Sequence, residues 1–174
     1  MSIKDNYLKI RREIPENVKI VLAAKKRTVE EIKEVIDAGA TDLGENYVQE
    51  FEAMYNALGD YNKKVKWHMI GSIQKNKINK LLPIVDVVQT IDSFEKAVAI
   101  NKRAERINKI IEALIEINIG SEITKSGLPP EYDVVEDVVK KMAELKFIKV
   151  KGLMTMGPRS GNPEDSRIYF KKTK

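Results

Sequence analysis

The chain has 174 residues, a formal charge of +5, 43% hydrophobic residues and 33% charged residues. These values predict one globular domain and exclude the collagen-like, disordered and membrane-embedded classes. The lack of cysteine excludes a thiolate nucleophile, and the single histidine excludes a zinc site with several histidine ligands. No apolar run is long enough to span a bilayer, and charged residues interrupt the first twenty positions, so we expect a cytosolic protein.

The basic residues are interleaved with 26 acidic residues along the chain and form no patch in the sequence. A net positive charge favours ligands that carry phosphate. However, the sequence contains neither a nucleic-acid recognition motif nor a basic stripe. A nucleic-acid-binding module is therefore the weaker alternative.

The first predicted strand covers residues 18–24, which are nearly all apolar and therefore typical of a strand buried on both faces. A helix is predicted after it, because apolar residues recur at helical spacing from Val29 onward. Thr28 and Glu31 form a capping box at the start of this helix, and Gly39 marks its end. Together these segments predict one β/α unit.

The same unit returns five more times. Further strands are predicted at 41–44, 66–70, 85–90, 109–119 and 149–156, followed by helices at 47–58, 74–82, 93–107, 131–146 and from about 163. This alternation, without hairpin signals, predicts a parallel α/β sheet with right-handed crossovers. Both an open sheet and a TIM-type barrel fit, but no glycine-rich phosphate loop follows the first strand, which weakens the nucleotide-binding open sheet. A barrel has eight units, so six would leave it incomplete.

Ligands of α/β folds bind beyond the carboxyl ends of the strands. Polar residues and glycines lie within or after five of the predicted strands: Lys25, Lys26, Arg27, Glu45, Asn46, Tyr47, His68, Gly71, Ser72, Gln74, Asn118, Lys125, Ser126, Gly127, Thr155 and Gly157. We expect these residues to converge on one rim of the sheet.

Lys26 is a candidate nucleophile. A lysine at the inner end of an apolar strand is partly desolvated, which favours the neutral amine that attacks aldehydes. The simpler alternative is that Lys25, Lys26 and Arg27 form a solvated turn. Side chains alternate between the two faces of a strand, so only one of the two lysines points inward, and the sequence leaves open which one.

Other residues at or beside the strand ends have purely structural interpretations. His68 is a candidate site residue, but a lone histidine is more often a hydrogen-bonded core or rim residue. Trp67 lies on the opposite strand face and is expected to pack against helices. Glu45 and Asn46 either belong to the site or cap the helix that follows them.

Several sequence blocks are more specific than the periodicity. They are LAAKK at 22–26, GENYVQE at 44–50, WHMIGSIQKNK at 67–77, NIGSE at 118–122, KSG at 125–127 and GLMTM at 152–156. In this order they resemble the YggS/PROSC family of pyridoxal phosphate homeostasis proteins. The resemblance extends from about residue 3 to the C-terminus.

The resemblance implies a TIM-type barrel like the N-terminal domain of alanine racemase, as a single domain over residues 1–174 with about six of eight units. It implies that pyridoxal 5′-phosphate is bound as a Schiff base to Lys26. The other implied cofactor-binding residues are Asn46, His68, Asn118, Lys125 and Met154. Members of this family continue beyond the match with two more strands, which include a phosphate-binding segment.

The implied function is pyridoxal phosphate homeostasis: reversible binding of the cofactor in the cell and its delivery to apo-enzymes, without catalysis. The alternative is an amino-acid racemase or a related enzyme. Racemisation needs a second acid or base on the opposite face of the cofactor ring, and the sequence identifies no such residue.

Overall fold

The computed structural model describes residues 2–121, 126–157 and 162–174. Within them, six parallel strands form one sheet in the order of the sequence. The strands are β1 Leu22–Ala23, β2 Asp42–Glu45, β3 Lys66–Met69, β4 Val87–Ile91, β5 Ile111–Ile117 and β6 Ile148–Thr155. An order without reversal is that of a barrel, because a doubly wound sheet changes direction at its switch point. The prediction of six parallel β/α units is confirmed.

Helices follow the strands as the apolar spacing predicts. The α-helices are α1 Ile3–Glu13, α2 Val29–Asp37, α3 Val48–Ala57, α4 Ile78–Leu81, α5 Phe94–Arg106, α6 Tyr132–Ala143 and α7 Arg167–Thr173. Short 3-10 helices cover Gly59–Lys64, Lys75–Lys77 and Pro163–Ser166. None of the helices in the described part of the chain has the length and apolar character of a transmembrane span.

Helix α1 is not among the predicted elements. It begins with a reciprocal cap, in which the Ser2 hydroxyl accepts from the backbone N–H of Asp5 and the Asp5 carboxylate accepts from the N–H of Ser2. The buried Tyr7 fixes the helix to the domain, since its hydroxyl donates to the carbonyl of Gly39 at 3.0 Å. A serine followed three residues later by an aspartate is the sequence signal of this helix start.

The predicted boundaries of α2 are confirmed. Thr28 and Glu31 form the capping box, with both reciprocal hydrogen bonds present. Gly39 follows the C-cap residue Ala38 and adopts φ +100°, a left-handed conformation that glycine adopts without steric cost.

The first strand is shorter than predicted. Only Leu22 and Ala23 pair with β2, whereas the apolar pattern predicts a strand over 18–24 that is buried on both faces. Ala23 is exposed and Leu22 is half-buried. Among the described residues β1 is an edge strand that pairs only with β2. Its apolar residues are therefore packed on one side only.

The helices cover one face of the sheet, called here the outer face. Leu43 and Trp67 are register partners on neighbouring strands and both belong to the apolar core. The ring of Trp67 packs against Phe51 and Tyr55 of α3, with centroids 5.0 and 5.7 Å apart. The predicted helix-facing orientation of Trp67 is therefore confirmed. Gly44 and His68, which directly follow Leu43 and Trp67, are also register partners and lie on the opposite face of the sheet, called here the inner face.

Candidate functional site

The loops at the carboxyl ends of the strands meet at one rim. Gly71, after β3, lies so close to Asn46, after β2, that any side chain at position 71 would overlap the Asn46 carbonyl. The hydroxyl of Thr90 in β4 donates to the carbonyl of Gly71 at 2.7 Å. The hydroxyl of Ser72 lies 3.3 Å from that of Ser126, in the loop after β5. The expected convergence is therefore seen for the ends of β2, β3 and β5, and Thr90 of β4, which is not among the predicted site residues, joins them.

Asn46 supplies an unused acceptor at this rim. Its side-chain Oδ1 is buried and has no hydrogen-bond partner among the described residues. An unsatisfied buried acceptor costs roughly 1–3 kcal/mol, so a ligand that donates a hydrogen bond would relieve this cost. The alternative role as a helix cap is not seen, because α3 begins after Tyr47 without any side-chain cap.

The inner face below the rim carries a hydrogen-bonded network around the buried Asp42. Its Oδ1 accepts from Lys19 Nζ at 3.0 Å and from His68 Nε2 at 2.8 Å, and its Oδ2 accepts from Thr41 Oγ1 at 2.7 Å. Gln89 Nε2 donates to His68 Nδ1 at 2.9 Å. Both ring nitrogens of His68 are thus engaged, and the proton is on Nε2.

The charges of this network follow from burial and hydrogen bonding. Burial lowers the pKa of His68 below its ordinary value, against the hydrogen bond and the charge of Asp42. Burial also raises the pKa of Asp42, but hydrogen bonds from Thr41, His68 and Lys19 outweigh this effect and keep the pKa of Asp42 below its ordinary value. At neutral pH the network therefore holds a neutral imidazole beside an ionised carboxylate.

A tight turn after β1 carries the two candidate lysines. The N–H of Arg27 donates to the carbonyl of Ala24 at 3.1 Å, which makes Lys25 and Lys26 the central residues of the turn. Lys26 has φ +60°, as the second central residue of a type II turn requires. Both lysines are exposed, so the expected burial of the Lys26 stem is not seen. The cause is the early end of β1, which places both lysines beyond the sheet.

The register of β1 shows how the two faces alternate up to this turn. Ala23 pairs with Gly44, and Gly44 pairs with His68, so Ala23 points to the inner face. Ala24 is fully buried in the outer apolar core. Lys26 lines a pocket on the outer side together with residues of α3.

The remaining predicted residues lie on β5 and β6 or next to them. Asn118 directly follows β5, and its backbone N–H donates to the carbonyl of Leu128 at 2.9 Å. Met154 is half-buried in β6 and pairs in register with Glu116. The predicted residue Lys125 lies outside the described residues.

Sequence reasoning did not single out several residues of the inner face. Asp42, Gln89 and Glu116 are polar residues inside strands that are otherwise largely apolar, and this interruption was the available signal. Glu116 is buried, and burial together with the charge of Asp92 raises the pKa of Glu116. The sequence-based prediction concentrates on the ends of the strands and does not include these three positions.

Comparison with known proteins agrees with this architecture. The family model described as "Alanine racemase, N-terminal domain" matches residues 1–173. The structure of PipY from Synechococcus elongatus superposes with a TM-score of 0.91 at 23% identity and covers 99% of this chain and 79% of PipY. PipY has also been solved with pyridoxal phosphate bound. The predicted fold, that of the alanine racemase N-terminal domain, is confirmed.

Two curated relatives are each named pyridoxal phosphate homeostasis protein. The relative from Aquifex aeolicus is 40% identical over 154 residues, which are 88% of this chain and 66% of the relative. The relative from Helicobacter pylori is 34% identical over 159 residues, covering 90% of this chain and 70% of the relative. Their name describes homeostasis and no catalysed reaction. The chain therefore belongs to the alanine racemase N-terminal domain family and, within it, to the pyridoxal phosphate homeostasis proteins, and it spans about two thirds of the length of these relatives.

Proposed function

We propose that the chain is a cytoplasmic, single-domain protein that binds pyridoxal 5′-phosphate reversibly and takes part in the homeostasis of this cofactor. The observation that carries the proposal is the two-lysine turn after β1, at the end of the sheet where the rim loops converge. The names of the curated relatives and the PipY structure with bound cofactor support it.

The cofactor supplies an aldehyde, which a neutral lysine amine binds reversibly as a Schiff base. The family resemblance points to Lys26 as this lysine. Lys26 occupies the left-handed position of the turn after β1, and Lys25 precedes it in the same turn. We therefore propose that Lys26 holds the cofactor, with Lys25 of the same turn as the alternative.

Other residues of the site have proposed supporting roles. Asn46 offers its unpartnered Oδ1 to a hydrogen-bond donor of the ligand. Asn118, Met154 and Lys125 are proposed to surround the cofactor ring, as the resemblance implies. His68 is engaged through both ring nitrogens, so its contribution would be to hold the inner face in shape below the ring.

Borohydride trapping tests the site directly. Pyridoxal phosphate is added to the wild-type chain and to the matched variants Lys25→Ala and Lys26→Ala, the adduct is reduced, and the labelled peptide is mapped by mass spectrometry. We expect an absorbance band near the edge of the visible range and an adduct on Lys26, lost only in Lys26→Ala. An adduct on Lys25 that is lost in Lys25→Ala would move the assignment to the neighbouring lysine. A wild-type chain without an adduct on either lysine would overturn the proposed function.

We also propose that the protein delivers the cofactor to apo-enzymes and does not itself catalyse turnover. The sequence identifies no second acid or base that would serve racemisation. Incubation of the loaded protein with L-alanine is expected to yield no D-alanine above a cofactor-only control. Accumulation of D-alanine that is lost in the variant without the adduct would show a racemase instead.

A further inference from the structure

Two carboxyl groups lie side by side on the inner face, where β4 and β5 reach the rim. The register pairs Ile91 of β4 with Ile115 of β5, so the residues that follow them, Asp92 and Glu116, are neighbours. Ile115 belongs to the outer apolar core, and side chains alternate along a strand, so Glu116 points to the inner face. Two acidic residues therefore face each other across neighbouring strands, an arrangement that is unfavourable when both are ionised.

Glu116 also lies beside residues that the family resemblance assigns to the cofactor ring. It pairs in register with Met154 of β6, and Asn118 follows two positions later on the same face of the sheet. The backbone carbonyl of Glu116 accepts from the N–H of Leu128 at 2.7 Å, which fixes this part of β5 against the loop that follows it. The carboxyl group of Glu116 is thus held at the inner side of the proposed cofactor site.

A buried ion needs a partner, and the carboxyl group of Glu116 has only a shared one. Glu116 is 6% exposed, and its Oε2 has no hydrogen-bond partner among the described residues. The nearby ammonium of Lys96 donates instead to Asp92 Oδ2 at 2.6 Å, between side chains that are 12% and 22% exposed. One ammonium group therefore serves two carboxyl groups, and the cluster would carry an excess negative charge if both were ionised.

These surroundings favour the protonated form of Glu116. Burial, followed by the negative charge of Asp92, raises the pKa of Glu116, and the positive charge of Lys96 opposes this effect without cancelling it. Met154, the register partner on β6, carries no charge. Once protonated, the carboxyl group is a hydrogen-bond donor and suits a ligand that supplies acceptors.

A bound anion strengthens this preference. Pyridoxal 5′-phosphate carries a phosphate group, and a negative charge beside a buried carboxylate favours uptake of a proton by that carboxylate. We propose that Glu116 is a positioning residue of the cofactor site that holds a proton when the anionic cofactor is bound, so that binding takes up a proton from solvent at this carboxyl group. The inference rests on the proposed function, and it makes cofactor binding weaker as pH rises through the range in which Glu116 ionises.

Cofactor titration over a pH series tests the inference. Dissociation constants for pyridoxal 5′-phosphate are measured by absorbance for the wild-type chain and for Glu116→Gln between about pH 5 and pH 9, where buried carboxyl groups titrate. Glutamine keeps N–H donors but does not ionise. The ratio of the two constants, wild type over variant, removes the pH dependence that both proteins share through the lysine amine and the cofactor phosphate.

We expect this ratio to be constant at low pH and to rise by up to about tenfold per pH unit above the pKa of Glu116 in the cofactor-free chain. That pKa lies above the ordinary value of 4.5 and is measured independently by carboxyl ¹³C NMR. Calorimetry in two buffers that differ in ionisation enthalpy should show that the wild type takes up more protons on binding than the variant does.

Glu112→Gln is the matched control, since Glu112 lies four positions earlier on the same face of β5 and pairs with Lys66 at 2.7 Å. The ratio of wild type to this control should not change with pH. Spectra of the ¹⁵N-labelled proteins show whether each variant is folded. A wild-type chain that binds the cofactor with the same pH dependence as a folded Glu116→Gln protein would overturn this inference alone. A folded wild-type chain that binds no cofactor would overturn the proposed function as well.

Discussion

The two faces of the sheet differ in chemistry although the same strands build both. On the outer face, Leu43 and Trp67 are buried among apolar side chains of the helices. On the inner face, the next positions along these strands carry Asp42 and His68, which bond to each other and to polar neighbours. Apolar side chains packed against the helices stabilise the domain on the outer face. Hydrogen bonds hold polar side chains in fixed positions on the inner face.

The comparison shows that the stability of this domain and its candidate site depend on different residues of the same strands. A change on the outer face should mainly lower the free energy of unfolding. A change on the inner face or at the rim should alter how that free energy depends on pH or salt, because the groups there are charged or ionisable. Four substitutions separate these effects.

Trp67→Ala should have the largest effect. It removes ring contacts with Phe51 and Tyr55 and leaves a cavity, and it also removes the hydrogen bond from Nε1 to the carbonyl of Asn62. Large-to-small changes of this kind cost about 3–5 kcal/mol. Urea denaturation at neutral pH measures the loss, and a loss below about 1 kcal/mol would contradict close packing at this position.

Asp42→Ala should cost about 3 kcal/mol at neutral pH, because His68 Nε2 and Thr41 Oγ1 lose their buried acceptor. The pKa of Asp42 is lowered in the folded state, so its stabilising contribution is present above the ordinary value of 3.8 and is lost as pH falls through the folded pKa. The difference from wild type should therefore shrink in strong acid. Asp60→Ala, at a side chain that is 92% exposed, is the control and should have a much smaller effect.

Glu45→Gln should weaken the decline of stability with rising pH. Because the pKa of Glu45 is raised from 4.5 to about 7, the folded state holds more protons between these values, and stability is lost as pH rises through this window. Replacement by glutamine should remove about 2 kcal/mol of this decline between pH 5 and pH 8. Urea denaturation of both proteins at pH 5 and pH 8 measures the loss of unfolding free energy between the two values. An equal loss in wild type and variant would contradict the raised pKa.

Lys66→Met should have the smallest effect. Its amine lies 2.7 Å from Glu112, but the two side chains are 36% and 29% exposed. Partly solvated pairs are worth about 0–1 kcal/mol and are screened by salt. The difference from wild type in urea denaturation should be small and should disappear at high salt. A larger difference that persists in salt would show that the polar inner face contributes to stability as strongly as the core does.

The strands and helices were largely predictable because their signals are local. Capping residues fix the start of α2, and helical spacing of apolar residues predicts α5 and α6 within a few residues. The prediction was wrong for β1 because apolar content does not reveal that a strand lies at an edge. The capping signal of Ser2 and Asp5 was overlooked, so α1 was not predicted.

The candidate site was predictable only in part. The residues at the strand ends do converge, as the general geometry of parallel α/β sheets requires. The partnership of Asp42, His68 and Gln89 joins three strands, and no local pattern specifies which side chains meet across strands. The direction of the two lysines depends on the register of β1 with β2, which the sequence leaves open.

The sequence by itself determined the order of the β/α units, the helix caps and the family, because each of these depends on residues near one another in the chain. Tertiary structure decided which polar side chains pair on the inner face and that Glu45 is buried with its Oε2 unpartnered among the described residues. These features depend on strand register and on burial. Both arise only when segments that are distant in sequence pack together.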